Sequence, residues 1–258
     1  MPILTQNSKV LTAAGKVLIR EPSPLDLPNL KLYLSATRMP QYADGTAMPS
    51  FVDFSSSNLT ATQTTTSLQP LFKTNQFGTN AGINFDGIDD ALNLPSGSGN
   101  ILKNVSEFTF QYLGKRSGTS TTQRGVYLGQ QTSGSFRLLF QFSFSGIVQC
   151  NIITVDGGTP ISLVASTNDL NVHLVQVTMN TDYKVYMYLD GMLVANGIAT
   201  SLTPFTNVTG INNSIGYINQ ASPAFGDALI NGISINTSYS DNTTIQAQYR
   251  GYLQRGYL

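Results

Sequence analysis

Asp86, Asp89 and Asp90 crowd around Gly87 in the segment Ile83-Asn-Phe-Asp-Gly-Ile-Asp-Asp-Ala-Leu-Asn-Leu94. Carboxylates grouped in this way offer the hard oxygen ligands that calcium takes. They suit turn capping equally well, each side chain accepting bonds from nearby backbone N–H groups. Hydrolysis of a glycosidic bond asks for more, since a retaining glycosidase holds two carboxyls about 5 Å apart. On a strand that means carboxylates at i and i+2 or i+4 of one face. No i, i+2 carboxylate pair occurs, and the adjacent Asp89-Asp90 point to opposite faces of an extended chain. The only two glutamates are Glu21, in a proline-rich linker, and Glu107, alone ahead of Phe108.

Other catalytic chemistries fare no better. His173 is the single histidine, and no GxSxG segment accompanies it. Gly97-Ser-Gly99 lacks the lysine and spacing of a phosphate-binding loop. Cys150 is the only cysteine, which rules out an internal disulfide, and its alternating surroundings mark it as a buried thiol. Binding is the more natural reading. Sugar sites combine an aromatic face with amide and carboxylate partners, and with Trp absent the candidates are tyrosines. Tyr186 and Tyr188 share one face of a strand over 183–189, while Val185, Met187 and Leu189 share the other, which is the better core face. Tyr127 and Tyr217 are further candidates.

The elements that must position these residues read as short strands. Alternation predicts strands at Leu30–Ser35, Phe108–Leu113, Val126–Gly129, Ile147–Ile153, Ser162–Ala165, His173–Met179, Tyr183–Leu189, Leu193–Ala195, Ser214–Tyr217 and Ala228–Ile235. Phe136, Leu138, Phe140, Phe142 and Phe144 repeat at period two and place five large apolar groups on one strand face. Asp86-Gly87 and Asp190-Gly191 are hairpin signals, because glycine supplies the positive φ of a tight turn. Asp227 and Asn231 are expected to approach across a hairpin over 226–232. The polar stretch 55–67 reads as an exposed loop or edge. Ser240 or Asp241 is expected to cap one helix over Thr243–Leu253, with Ile245 and Tyr249 on one side. Many short strands with regular turn signals indicate an all-β sandwich or barrel.

Ahead of this lies an arm. Lys9-Val10-Leu11-Thr12 and Lys16-Val17-Leu18-Ile19 are strand-like pieces around Ala14-Gly15, followed by Pro22, Pro24 and Pro28. We read residues 1–23 as an arm and linker and 24–258 as the main domain. An isolated two-strand ribbon is marginal in water. The arm therefore either adds to the domain's own sheet or docks to a larger assembly.

Composition narrows the function classes. Charged residues make up 11% of the chain, against about 25% in ordinary domains. Ser, Thr, Asn, Gln and Gly must therefore supply the polar surface. Net charge is zero, from 14 basic and 14 acidic side chains, which leaves no basic footprint for a nucleic acid. No apolar run approaches the roughly 20 residues of a membrane span. The opening residues contain no apolar run longer than three, so no signal-peptide core is present. An extracellular-looking module without such a core is expected either as a mature fragment or as a protein released by lysis within a virion. The starting Met favours the virion.

The segment Phe85-Asp-Gly-Ile-Asp-Asp90 resembles the FDGxDDY segment of laminin-G-like domains of the concanavalin A-like superfamily. Val172-His-Leu-Val-Gln-Val-Thr178 with Lys184-Val-Tyr-Met-Tyr-Leu-Asp-Gly-Met-Leu-Val194 is similar to that family's WHHVAVTYD…VRLYVDGVLV. Phe225-Gly-Asp-Ala-Leu-Ile-Asn-Gly-Ile-Ser-Ile235 resembles FNGLIDEVRIY, and Tyr239-Ser-Asp-Asn-Thr-Thr-Ile-Gln-Ala247 resembles a closing LSDEEIQAL helix start. The resemblance covers roughly residues 28–253. It implies a two-sheet antiparallel jelly-roll sandwich with one short C-terminal helix, and a core position for His173. The family's strand-leading Trp is missing and its Asp is Asn231 here, which weakens transfer of any ligand site. Within this family most members bind sugars or surfaces, and many bind calcium.

These observations lead to the expectation of a non-enzymatic virion surface component, a phage decoration, fibre or tail protein. Its jelly roll is displayed outward to bind glycans, and its arm docks through Lys9, Val10, Leu11, Lys16, Val17 and Leu18. The alternative is a carbohydrate-binding module of a secreted bacterial system. Partners would be other virion proteins, copies of the chain, or cell-surface polysaccharide, with no nucleic acid and no membrane insertion. Calcium is the one candidate cofactor, at Asp86, Asp89 and Asp90.

Overall fold

The computed structural model describes residues 9–13, 16–20, 23–102, 104–118, 123–129, 138–143, 146–152, 160–167, 169–198, 213–218 and 224–258. Two antiparallel sheets dominate. Sheet I runs Ile161–Ser166, Ile147–Ile152, Leu138–Ser143, Gln123–Leu128, Ser214–Ile215, Leu92–Asn93, Ala61–Thr62, Ser50–Phe51. Sheet II runs Met192–Ile198, Lys184–Leu189, His173–Met179, Phe108–Arg116, Asp227–Asn236, Asn80–Asp86, Leu71–Phe77. Leu30–Ser35 also joins sheet II, pairing with the second half of Asp227–Asn236 while Asn80–Asp86 pairs with the first half. The molecule is an all-β jelly-roll sandwich with one C-terminal helix, Asn242–Gln254. No helix among the described residues is long and apolar enough to cross a membrane.

Alternation explains how the layers meet. Leu138, Phe140 and Phe142 of the period-two run face the core and are fully buried; Phe136 and Phe144 lie outside the described residues. Opposite them, Phe110 and Tyr112 project from sheet II. The Tyr112 and Phe140 ring centroids are 4.4 Å apart, those of Phe110 and Phe140 5.4 Å, and those of Tyr112 and Phe142 5.7 Å. Cys150, opposite Phe140 in the ladder, is buried, and burial pushes its thiol pKa up so that it stays protonated.

Simple alternation fails where sheet II is covered on both sides. His173–Met179 is buried at every position, and Phe108–Arg116 at all but one. The outward residues are paired rungs: Thr109 opposite Thr178, Gln111 opposite Gln176, Leu113 opposite Leu174. Each rung has a partner in the C-terminal segment. The Ser240 amide donates to Thr109 Oγ1 (3.0 Å) and Thr178 Oγ1 (3.3 Å). Gln248 Oε1 accepts from Gln111 Nε2 (2.5 Å) and Gln176 Nε2 (2.7 Å). Tyr252 packs with Leu113 and Leu174 in a second apolar cluster that also holds Phe77 and Leu229. The helix is started by Asp241, whose side chain accepts from the Thr244 amide (2.8 Å).

Several expectations are corrected. Asp190-Gly191 is a hairpin turn, with φ of 51° and 76°, between Lys184–Leu189 and Met192–Ile198. Asp86-Gly87 is not one. Gly87 does take a positive φ, but the chain crosses there from Asn80–Asp86 in sheet II to Leu92–Asn93 in sheet I. The apolar demand decides this, because Phe85 and Leu92 are both buried in the shared core. Residues 226–232 form no hairpin either, since Asp227–Asn236 is one continuous strand. Asn231 instead donates to Thr37 Oγ1 and the Ala81 carbonyl. The expected strand Ser214–Tyr217 breaks at Gly216, whose φ is 81° and where a Cβ would lie 2.1 Å from the Phe85 ring. Ser214–Ile215 stays in sheet I, and Tyr217–Ile218 pairs separately with Ala224–Phe225. The 55–67 stretch contributes the short strand Ala61–Thr62.

In the arm, Lys9–Ala13 and Lys16–Arg20 pair with each other as a two-stranded sheet, and among the described residues neither strand joins the large sheets.

The rung arrangement carries a measurable consequence. Gln248→Ala strands the buried amides of Gln111 and Gln176, at roughly 1–3 kcal/mol for each group left without its acceptor. Asp241→Ala removes only a helix cap, at about 1 kcal/mol. Urea unfolding followed by circular dichroism should rank Gln248→Ala as the weaker protein; equal losses would mean the network contributes no more than a cap.

Candidate functional site

The chain crossing at Gly87 gathers carboxylates at one rim of the sandwich. A ligand oxygen from each of Asp86, Asp89 and Asp90 lies within 4.8 Å of the others. Asp89 and Asp90 are therefore not splayed to opposite faces, because the turn, and not a strand, carries them. Asp86 Oδ1 accepts from the Ile88 amide (2.8 Å) and the Asp89 amide (3.3 Å), and Asp90 Oδ2 accepts from the Asp86 amide (2.9 Å). Burial pushes the Asp90 carboxyl up to about 6, the Asp86 bond opposes this, and the charges of Asp86 and Asp89 add to it. Asp227, across the ladder from Asp86, has its pKa raised by burial and by the Asp86 charge, against a bond to Ser117. The turn is thus a negative cluster with one buried member, and its three internal bonds engage only two of the six carboxylate oxygens, so each residue keeps at least one for an ion.

The same rim carries an aromatic pair. Tyr217 stacks on Phe225, with ring centroids 5.6 Å apart and planes 15° from parallel. The Tyr217 hydroxyl donates to Asn93 Oδ1 at 3.3 Å. Two links join this pair to the acidic turn. Phe225 precedes Asp227 by two residues, and Gly216 rests on the ring of Phe85, the neighbour of Asp86. The aromatic stack with its bonded amide therefore lies two residues along the chain from Asp227, which pairs with Asp86 of the acidic turn. Such a set can hold a sugar by ring stacking and hydrogen bonding.

The other tyrosine candidates are placed elsewhere. Tyr186 and Tyr188 do share a face, with Val185 and Met187 buried on the opposite one. That face is the outer face of sheet II, and Tyr188 is buried there, close enough to Tyr239 and Asp241 for their charges to add to the rise that burial imposes on its pKa. Tyr186 remains half-buried. Tyr127 is buried against Leu139 in a small cluster apart from the main core. Tyr188 and Tyr127 are thus buried side chains that take part in packing.

His173 faces inward at the other turn. Nδ1 lies 2.7 Å from Asp190 Oδ2 and Nε2 2.8 Å from Asp169 Oδ1. Burial alone would lower its pKa, but the bonds to Asp190 and Asp169 win and raise it. Asp190 Oδ1 also accepts from the Leu174 amide (2.9 Å). The imidazole clamps the hairpin turn to the 169–171 loop and presents no free nitrogen for catalysis.

Two features escaped sequence reasoning. Asp53 is buried and accepts four bonds, from the Tyr33, Ser55 and Leu59 amides and the Ser55 hydroxyl. A cavity beside the end of the helix is lined by Tyr33, Arg38, Tyr252, Arg255 and Tyr257. The helix signal at Ser240–Asp241 was visible, but not what the helix end would meet.

Neither a protein-family model nor a curated protein sequence matches the chain. Solved structures match it in fold. Trypanosoma rangeli sialidase, solved with sialic acid, is 15% identical, with 95% of this chain and 36% of that chain covered and a TM-score of 0.61. The binding domain of botulinum neurotoxin serotype D is 16% identical, with 88% and 52% covered and a TM-score of 0.60. The CBM40 module of the Ruminococcus gnavus IT-sialidase is 16% identical, with 64% and 95% covered and a TM-score of 0.52. The chain spans about a third of the length of the sialidase. At these identities the likeness is one of fold: a two-sheet β-sandwich.

Two titrations test this geometry in separate pH windows. The folded pKa of Asp90, about 6, lies above an unfolded value of about 3.9. Stability tied to its proton is therefore lost as pH rises between the two. Folding also raises the His173 pKa, so the stability it confers is complete below about 6.5 and declines as pH climbs through the folded value. Urea midpoints measured across this range should show Asp90→Asn above the parent at neutral pH and level with it in acid. His173→Gln should abolish the decline on the alkaline side.

Proposed function

We propose that the protein is a non-enzymatic glycan-binding β-sandwich that holds a sugar at the rim where Tyr217 stacks on Phe225 beside Asn93 and the Asp86–Asp90 turn. The observation that carries this is the aromatic stack with the Asn93 amide bonded to it, two residues along the chain from Asp227, the ladder partner of Asp86 in the acidic turn. Neighbours in fold add support: the CBM40 module was solved bound to alpha2,3 sialyllactose. The clustered carboxylates have a spacing near that of a retaining glycosidase, about 5 Å, but not its presentation. Asp86 and Asp90 each spend an oxygen on amides of their own turn. In the same reading Asp86, Asp89 and Asp90 would hold a calcium ion, whose charge would offset that of the buried Asp90. Its role would be to fix the turn beside the stack.

A panel of immobilised polysaccharides and a calcium titration test this. Saturable binding to at least one glycan is expected, weakened roughly tenfold, about 1.4 kcal/mol, by Tyr217→Ala with unchanged thermal unfolding. Calcium should raise the unfolding temperature of the parent and not that of Asp89→Asn. A folded protein that retains no glycan, or a Tyr217→Ala variant of undiminished affinity, would remove the proposal.

A second role is favoured by the separate pairing of Lys9–Ala13 with Lys16–Arg20. A two-stranded ribbon that joins neither sheet is suited to pairing with another protein. We propose that it docks the sandwich to a larger assembly, a virion surface being the setting envisaged, with the sugar-binding rim displayed. Deleting residues 1–22 should leave the unfolding transition intact and abolish assembly, read by light scattering of the purified protein and by incorporation into particles. Unimpaired assembly of the shortened chain would exclude a docking arm.

A further inference from the structure

Exposed apolar side chains concentrate on one strand. Met192, Leu193, Val194 and Ile198 are between 37% and 68% exposed, and all four belong to Met192–Ile198. Among the described residues that strand is an edge of sheet II. Ile161–Ser166, an edge of sheet I, lies against it: a Cβ placed on Gly197 would stand 3.0 Å from Ile161 Cγ2 and 3.6 Å from Leu163 Cδ2. Val164 of this second edge is exposed as well. Neither strand contains a charged residue or a proline. An edge strand offers a row of backbone N–H and C=O groups, and proteins ordinarily guard such rows with lysine, proline, irregular pairing or shortness. The other edges follow that rule. Leu71–Phe77 has Lys73 and an irregular register, Leu30–Ser35 has Lys31, and Ser50–Phe51 is two residues long. Met192–Ile198 has one irregularity, where Val194 lacks an opposite residue. An edge broken in this way suits a short partner strand better than a second long edge.

The chain contains a short partner. The ribbon of Lys9–Ala13 and Lys16–Arg20 pairs Val10 with Ile19, Leu11 with Leu18 and Thr12 with Val17, and each of its strands has five residues. Its sequence carries Lys9 opposite Arg20 at one end and Lys16 at the other, with no carboxylate. The two ends of the Met192–Ile198 edge carry the complementary sign. Asp190 sits in the turn ahead of Met192 and shares His173 with Asp169. Asp182 lies 3.9 Å from Lys184, which pairs with Ile198 at the other end. Three carboxylates there stand against one lysine and one imidazole. The ribbon of one chain falls short of its own edge. The backbone from Arg20 to Ser23 reaches about 11 Å at full stretch. Ser23 and Pro24 lie beside Tyr33 of Leu30–Ser35. Five strand spacings, roughly 24 Å in all, separate Leu30–Ser35 from Met192–Ile198.

We propose that the ribbon of one copy adds to the Met192–Ile198 edge of the next, extending sheet II by strand addition and covering Leu193 and Ile198. This rests on the docking role proposed for the ribbon and names its partner, a second copy of this chain. The contact is heterologous, so it closes into a ring or runs on as a filament.

Sedimentation of the full chain across a range of concentrations tests this, with masses above one chain that grow with concentration as the expected result. Leu193→Lys and Ile198→Lys should each raise the concentration at half-assembly roughly tenfold or more, as should removal of residues 1–22. The decisive sample is a mixture. Ile198→Lys keeps the ribbon and the chain lacking 1–22 keeps the edge, so together they should form one-to-one pairs although neither associates alone. A mixture that stays monomeric would overturn the inference, as would Lys variants that assemble as readily as the parent, or a chain without 1–22 that still dimerises. Should a Lys variant fail to fold, full-length chains carrying Thr12→Cys and Asn196→Cys decide instead. Mild oxidation of their mixture should cross-link one to the other, since Cys150, the only native cysteine, is buried. Cross-linking no greater than in either chain alone would equally overturn the inference. A full chain that stays monomeric, while removal of 1–22 still abolishes incorporation into particles, would sink this inference alone and leave the ribbon docked to a different protein.

Discussion

The structure depends on covering both faces of two central strands. Phe108–Arg116 and His173–Met179 send Phe110, Tyr112, Val175 and Val177 into the sandwich core and Thr, Gln and Leu outward. Buried hydroxyls and amides are tolerable only when bonded. The C-terminal segment meets each rung in turn: the Ser240 amide takes the threonines, Gln248 the glutamines, Tyr252 the leucines. Polar rungs fix the register of the helix more strictly than an apolar stripe would, since a shift of one turn would leave both glutamine amides without an acceptor. Because Arg255 and Tyr257 follow this helix directly, the register also sets the wall of the arginine cavity.

A chain with so few charges makes each of them count locally. Asp53 and Asp90 are both buried, yet they differ. Asp53 gathers four donors from its own loop and the neighbouring strand. Asp90 is bonded to one amide in its own turn and stands beside two more carboxylates. The first is a structural pin that spreads its charge over hydrogen bonds. The second is held in the charged form only at a cost, which a bound cation or a proton would relieve.

Much of the fold was legible because alternation is a local property. The strand His173–Met179 has the expected bounds, Asp190-Gly191 is the expected hairpin, and the helix extends the expected span by one residue at each end. What could not be read depended on distant partners. Asp86-Gly87 carries the same two-residue signal as Asp190-Gly191, but the next strand belongs to the other sheet, a choice made by Phe85 and Leu92 packing in the common core. Tyr188 looked available because alternation shows which face of the sheet it takes but not that this outer face is itself buried. The arginine cavity joins Tyr33 and Arg38 near one end of the sequence to Tyr252, Arg255 and Tyr257 at the other, so no local spacing announces it. Gln248 did leave a trace: a polar residue on the same helical side as Ile245 and Tyr252 signals a buried bond.

Function is most credibly sought where a well-packed chain leaves a local rule broken. His173 breaks none: both nitrogens are engaged, and its turn is closed around it. The same holds for Cys150, protonated and enclosed. Buried polar atoms without a partner also occur within the packing itself, Tyr112 Oη and Gln248 Nε2 among them, so an unmet bond alone does not mark a site. The rim differs because it gathers like charges: Asp90 is buried beside Asp86 and Asp89, and their charges add to the rise that burial imposes on its pKa. Packing alone gives no reason to hold three carboxylates together at a sheet crossing, and whatever neutralises one of them stabilises the turn that joins the two sheets.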